Sequence, residues 1–193
     1  MIHHRVSAGS RAIGQKGCLG LGAFLLLGGT PAAQSPPFRL DPGRAGTLEI
    51  GVPVDTVLRA FARNRVRLVD LQLEGHFSPA LEVDLGNSGP TPGLVAHISH
   101  FPCNEFAVSG ISVYDPRFRT REGIGVGSTI GALRRAYDVR PNREEGHSVI
   151  VPSLKMTFAI DGTSFADSVR VTSVWMWADP NEVRQRRCPN ARR

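Results

Sequence analysis

Apolar positions along the chain follow two spacings. Val54, Val57, Leu58 and Phe61 recur at i, i+3, i+4 and i+7, the stripe of a short amphipathic helix. Pro53 fits the first helical position, where its missing N–H is not needed. Ile130, Leu133 and Tyr137 line one face of a second helix, with Arg134 and Arg135 on the other face. Elsewhere the period falls to two or to short apolar runs. Residues 66–73 are rich in Val and Leu, and Leu81, Val83 and Leu85 alternate with Glu82 and Asp84, as strands buried on one face do. Residues 94–99, 106–114, 147–151, 154–160 and 169–177 read as further strands, and 47–50 as a short one. The Gly/Pro/Ser-rich stretch 86–93 predicts a hairpin loop, 161–163 a turn and 139–146 a polar loop, while Gly110 inside a strand marks a bulge. The fold class expected is α+β: two short helices packed on antiparallel sheet.

The two helix starts resemble each other. Residues 50–61 read IGVPVDTVLRAF and residues 124–137 read IGVGSTIGALRRAY, both opening Ile-Gly-Val and both ending Arg-Ala-aromatic. Two copies of strand, turn, helix and strands about 75 residues apart suggest a duplicated unit, with repeats over 47–113 and 114–178.

The ends of the chain differ from its body. Arg5, Arg11 and Lys16 precede the apolar run 18–29, and Thr30-Pro31-Ala32-Ala33 follows with small residues. That order predicts a secretory signal peptide over 1–33, cut near Ala33. The apolar run is shorter than the roughly 20 residues a membrane span needs. Cys18 opens the run rather than following it, which argues against a lipid anchor. Residues 34–46, rich in Pro and Gly, read as a lead-in, extended and mobile at its start. A single domain over 47–178 and a basic tail over 179–193 complete the expected organisation.

Charge sharpens that division. Of 23 Lys and Arg, three fall in the leader, and Arg184, Arg186, Arg187, Arg192 and Arg193 crowd the last ten residues; the fifteen that remain face all 17 acidic residues. The body is therefore slightly acidic and the high isoelectric point belongs to the ends. A nucleic-acid domain would instead spread its cations along a stripe interleaved with aromatics, so nucleic acid is not an expected partner. The tail's own options are a solvated end or contact with an anionic surface of the envelope. Cys103 and Cys188 are the two cysteines beyond the leader, and a pair in an exported chain predicts one disulfide, tying the tail to a central loop.

The densest local signals fall at 114–137, YDPRFRTREGIGVGSTIGALRRAY. Asp115-Pro116 stops a strand, because Pro donates nothing to a ladder. Gly123, Gly125 and Gly127 lead into Ser128-Thr129, a hydroxyl pair suited to capping the helix. A helix start with unbonded N–H groups can hold an anion. Here no Lys follows in the P-loop sense, and the spacing is not that of a dinucleotide site. A tight turn plus a cap is the favoured reading. Arg117, Arg119, Arg121 and Glu122 surround Thr120, either as a clamp for a carboxylate or phosphate or as an ion-pair network that holds the loop. These four residues with Ser128 and Thr129 are the candidate binding residues.

The same stretch resembles the signature of a group of secreted bacterial proteins of unknown function. The matching residues are Asp115, Pro116, Arg117, Phe118, Arg119, Thr120, Glu122, Gly123, Gly125, Val126, Gly127, Ser128, Thr129, Leu133 and Tyr137. More distantly, the Ile-Gly-Val turn–helix units resemble those of the outer-membrane assembly lipoprotein BamE and of β-lactamase inhibitory proteins. The resemblance implies small non-enzymatic binders built from helices on antiparallel sheet.

Chemistry-bearing motifs are sparse. His97, His100 and Cys103 form H-x-x-H-x-x-C, but residues three apart on a strand point to opposite faces. Zinc would need a further ligand such as His76 or His147. No Gly-x-Ser-x-Gly elbow and no standout carboxylate pair occurs, so no catalytic residue and no cofactor are assigned. Trp175 and Trp177 share one face of the last strand, where packing on the sheet is the plainer role. The expectation is an exported or periplasmic, non-enzymatic protein that binds another envelope macromolecule. The second reading is a metal-binding protein or hydrolase using His97, His100 and their neighbours.

Overall fold

A computed structural model describes residues 38–73, 75–86, 91–101, 103, 105–142 and 147–189. All lie within one compact unit, Ser35–Arg193. The leader, Arg192 and Arg193 lie outside the described residues.

The chain is α+β, with small helices against a large antiparallel sheet. Strands β1 (Leu40–Asp41), β2 (Arg44–Ala45) and β3 (Leu48–Glu49) form a three-stranded sheet. The Pro/Gly-rich lead-in is thus folded from Phe38 onward, and its start at 34–37 lies outside the described residues. Gly43 and Gly46 supply the positive φ its turns need, and Leu40, Ala45 and Leu48 are buried. Helix α1 (Val54–Ala60) precedes β4 (Val66–Leu73), β5 (His76–Val83), β6 (Leu94–Phe101) and β7 (Glu105–Val113). Helix α2 (Ile130–Ala136) precedes β8 (Arg140–Asn142), β9 (Ser148–Val151), β10 (Met156–Ile160) and β11 (Val171–Trp177), and α3 (Pro180–Arg187) follows. The eight long strands run in the order β4-β5-β6-β7-β11-β10-β9-β8.

That order is two four-stranded meanders, each introduced by one helix and joined through their last strands. The join pairs Val113 with Val174, Ser112 with Trp175 and Ile111 with Met176. The two helix entries match in detail. Gly51 N–H donates to the Val108 carbonyl at 2.7 Å and Val108 N–H to Val52 at 3.0 Å; Gly127 N–H donates to Val171 at 2.8 Å and Val171 N–H to Ser128 at 2.9 Å. Both glycines have positive φ, 93° and 85°, and Pro53 bridges Ala107 as Thr129 bridges Arg170. Gly51 therefore corresponds to Gly127, not to Gly125, and the two Ile-Gly-Val triplets are not equivalent positions. What does correspond in the helices is Val57 with Leu133, both buried.

Other expectations need correction. Pro53 is the N-cap of α1 with extended backbone (φ −60°, ψ 147°), one position before the helix. Leu58 is 45% exposed, so the α1 stripe narrows to Val57 and half-buried neighbours. The loop 139–146 contains β8, and the basic tail opens with α3. Asp179 caps α3 by accepting from Asn181 N–H at 2.8 Å, and Pro180 opens it. Only Val183 is buried in α3, so no apolar stripe announced the helix.

The core lies on one face of the large sheet. Leu81 and Val83, Ala96 and Ile98, Ile111 and Val113, Val174 and Met176, Met156 and Phe158, and Val149 and Val151 join a buried cluster with Val57, Leu133, Leu48, Phe118 and Val183. The register of β6 and β7 shifts between His97 and Ile98, leaving Ser109 as the extra residue beside Gly110. No helix among the described residues is long and apolar enough to cross a membrane.

Candidate functional site

The segment from Asp115 to Tyr137 is held by contacts within itself and to Phe38, Leu40 and Leu85. Strand β7 ends at Val113, three residues before Pro116, and Asp115 turns its carboxylate into the protein, with no side-chain exposure. It accepts from Arg117 N–H at 2.8 Å and from the Arg117 guanidinium at 2.6 Å. Arg117 also donates to the Leu85 carbonyl at 3.1 Å, and its guanidinium sits 4.2 Å above the Phe38 ring. The hydrogen bond to Asp115 raises the Arg117 pKa further above its ordinary value. Arg119 donates to the Val126 carbonyl at 2.7 Å, and its main chain bonds Phe38 and Leu40. Buried Thr120 accepts from Ile124 N–H at 3.2 Å.

The glycines make this turn possible. A Cβ at Gly125 would lie on the Phe118 carbonyl and the Arg119 side chain, whereas Gly123 and Gly127 have open space but positive φ. Ser128 accepts from Gly125 N–H at 3.0 Å, and Thr129, the N-cap of α2, accepts from Ala132 N–H at 3.2 Å. Tyr137 donates to Glu122. That bond, foremost among several causes, holds the Glu122 carboxyl below the usual carboxylate range. Burial, then Glu122, pushes the Tyr137 phenol up to about 12. Arg121 is exposed beside Glu122. Five of the six candidate binding residues thus have separate jobs, and Arg121 is exposed. Arg117 serves Asp115, Arg119 and Ser128 the turn, Thr129 the helix, and Glu122 the tyrosine. No single group bonds them all.

His97 and His100 part as strand geometry requires. His97 hydrogen bonds Ser112 Oγ at 2.9 Å, and burial lowers its pKa. His100 stacks obliquely against Phe106, ring centroids 5.0 Å apart. Among the described residues, no three His, Cys, Asp or Glu side chains gather as a metal would need. Cys103 and Cys188 are joined as a disulfide with Cα atoms 5.5 Å apart. It fastens the end of α3 to the β6–β7 connection. In the described part of the tail, Arg186 pairs with Glu49 at 3.8 Å and Arg187 with Glu105, so these cations face their own fold.

The face of the large sheet opposite the core carries a second constellation. Strand register sets Arg67, Glu82, Val95, Ser112, Trp175, Thr157, Ile150 and Arg140 in one row across all eight strands. Trp175 stands at the centre of that row, on the join of the two halves, and is 42% exposed. In the next row lie Ala80, His97, Gly110 and Trp177. A Cβ at Gly110 would come within 3.1 Å of the Trp175 indole nitrogen, so this glycine is where the ring lies down. Val95 is 3% exposed and lies outside the main core cluster. The sequence placed the two tryptophans on one face, but Ser112 and Gly110 as their setting required the register.

A cleft of about 580 Å³ reaches Trp177 and is walled also by Glu49, Lys155, Glu182 and Arg186. Its charges pair with one another, Lys155 with Glu182 at 2.9 Å and Arg186 with Glu49, so it presents no single-sign field to a ligand.

No protein-family model matches the chain, and no curated protein matches it. Among solved structures, the crystal structure of the uncharacterized protein yfeY from Escherichia coli is similar, with a TM-score of 0.50 and 13% sequence identity over 74% of this chain and 100% of that chain. At that identity the likeness is one of fold alone.

Proposed function

We propose that the chain is an exported, non-enzymatic protein that binds another macromolecule of the envelope or extracellular space on the face of its large sheet opposite the core. The observation that carries this reading is Trp175. A tryptophan 42% exposed at the centre of a sheet face is the kind of rigid, amphipathic anchor on which binding energy concentrates. The bonded Cys103–Cys188 pair supports export, since disulfides persist in oxidising compartments. So does the order of basic, apolar and small residues over 1–33. The resemblance of the 115–129 motif to secreted bacterial proteins points the same way.

The test is capture from envelope extracts with the native chain and with Trp175→Ala. A specific partner should lose about 30-fold in affinity with Trp175→Ala, the weight of a hot-spot residue, and should be unaffected by Arg121→Ala. A partner held equally by Trp175→Ala would refute this face as the site. One observation favours a second reading: His97 and Ser112 form a base–hydroxyl pair, the opening of a nucleophilic site. Covalent labelling of Ser112 by a fluorophosphonate, abolished in His97→Gln, would move the protein to the hydrolases.

A further inference from the structure

Strand β4 closes one end of the large sheet, and among the described residues no strand pairs with its outer side. It is eight residues long and has no proline. The strand at the other end, β8, has three residues including Pro141, a common way of blunting a sheet edge. The polarity of β4 follows from one contact. Asp84 N–H donates to the Arg65 carbonyl at 2.8 Å, and these residues stand opposite each other one step beyond the Val66–Val83 pair. Bonded and non-bonded pairs alternate in an antiparallel ladder. Arg67, Val69 and Leu71 therefore bond towards β5, while Val66, Leu68, Asp70 and Gln72 turn their N–H and C=O groups outward.

Apolar surface accompanies this row. Leu68 is 68% and Phe77 74% exposed, and both point to the same face, since Leu68 pairs with Leu81 and Gln72 with Phe77. Beta-5 pairs with β6 only from Ala80 onward. By the same alternation, Pro79 stands where its N–H would have continued that ladder. The hairpin end therefore stands apart from β6, with its edge and its apolar side chains open.

We propose that this edge pairs with the same edge of a second copy of the chain, β4 against β4, antiparallel about a two-fold axis through Val69. A closed dimer built by strand pairing needs an axis perpendicular to the sheet, so each residue opposes one of the same face. Centring on Val69 uses every outward group: Val66 stands opposite Gln72 of the second copy and Leu68 opposite Asp70. On the other face Val69 meets Val69, and Arg67 meets Leu71. No like charges oppose each other, whereas centring on Asp70 would set two carboxylates face to face. Gln72 adjoins Phe77 within the hairpin and Val66 across the joint, so the exposed Phe77 and Leu68 fall in neighbouring rows of one continuous face.

Cross-linking tests the register on the full chain, carrying Cys18→Ser so that one added cysteine is the only thiol outside the native pair. Directly opposed residues of a non-bonded pair have Cα atoms about 4.5 Å apart, within disulfide range. Val69→Cys should therefore form a disulfide-linked dimer under mild oxidation. Leu71→Cys should not, because its copy lies four residues along the joint, on the order of 13 Å away. Asp70→Pro removes an outward N–H while leaving the β5 ladder intact, and should convert a dimer to a monomer in sedimentation. Cross-linking of Val69→Cys no stronger than that of Leu71→Cys overturns the proposal, whether the chain sediments as a monomer or as a dimer formed elsewhere. If Asp70→Pro does not fold, the cross-link decides alone.

Discussion

Asp115 is the residue on which the 115–137 turn depends. Its carboxylate is wholly buried and accepts from both the main chain and the guanidinium of Arg117. Removing a buried acceptor leaves its donors without partners. Asp115→Ala should therefore lower unfolding free energy by about 2 kcal/mol, whereas exposed Arg121→Ala should stay within about 0.5 kcal/mol. Urea denaturation of the two variants distinguishes them, and equal effects would show that the turn does not rest on Asp115. The Tyr137–Glu122 contact sets a different prediction. A tyrosine has a pKa of about 10 in an unfolded chain and here reaches about 12. The folded state thus holds the phenol proton longer. The contribution is complete below pH 10 and is lost as pH rises from 10 to 12. Tyr137→Phe should flatten the fall in thermal midpoint across that window; an unchanged slope would mean that another group governs it.

At the scale of elements, three glycines in one turn do two kinds of work. Gly125 is needed for space, because a Cβ would meet the Phe118 carbonyl, which cannot move without breaking the turn. Gly127 is needed for conformation: its φ is 85° with nothing nearby. Gly127→Ala should destabilise by about 1 kcal/mol, and Gly125→Ala by more, with loss of the Ser128–Gly125 hydrogen bond. A thermal melt of each variant checks the order. The sequence made this turn legible as a turn because its composition is local: Pro stops the strand, glycines bend the chain, and Thr129 caps α2. The long strands were legible because alternation is local too, whereas β8, three residues with Pro141 at its centre, was not. Alpha-3 was not, since only Val183 faces the core, and neither was the fold of 38–46, whose buried Leu40 and Ala45 are spaced by turn geometry rather than by either period. The setting of Trp175 was hidden for a different reason. Ser112 and Gly110 come beside it only through the β7–β11 register, a pairing between residues more than sixty apart in the chain.

At the scale of the whole molecule, two helix-plus-meander halves meet at one strand pair, and the disulfide adds a second tie. It links residues 85 apart, joining the β6–β7 connection of the first half to the helix that follows the second. Because α3 contributes only Val183 to the core, with its C-cap Cys188 beside it, packing alone holds it weakly. The bond acts chiefly by restricting the unfolded chain, about 4 kcal/mol for a loop of that length. Reduction should therefore lower the thermal midpoint by about 10 °C in a chain of this size. Cys103→Ser and Cys188→Ser should reproduce the shift singly, and the double variant should add nothing, since each removes the same bond. Hydrogen exchange separates the global effect from the local one. On reduction α3 should lose protection first, because few contacts remain to hold it, while β7 and β11, buried at the join of the halves, keep theirs until the sheet itself opens. Equal loss in α3 and the central strands would mean that the tail and the sheet unfold as one unit.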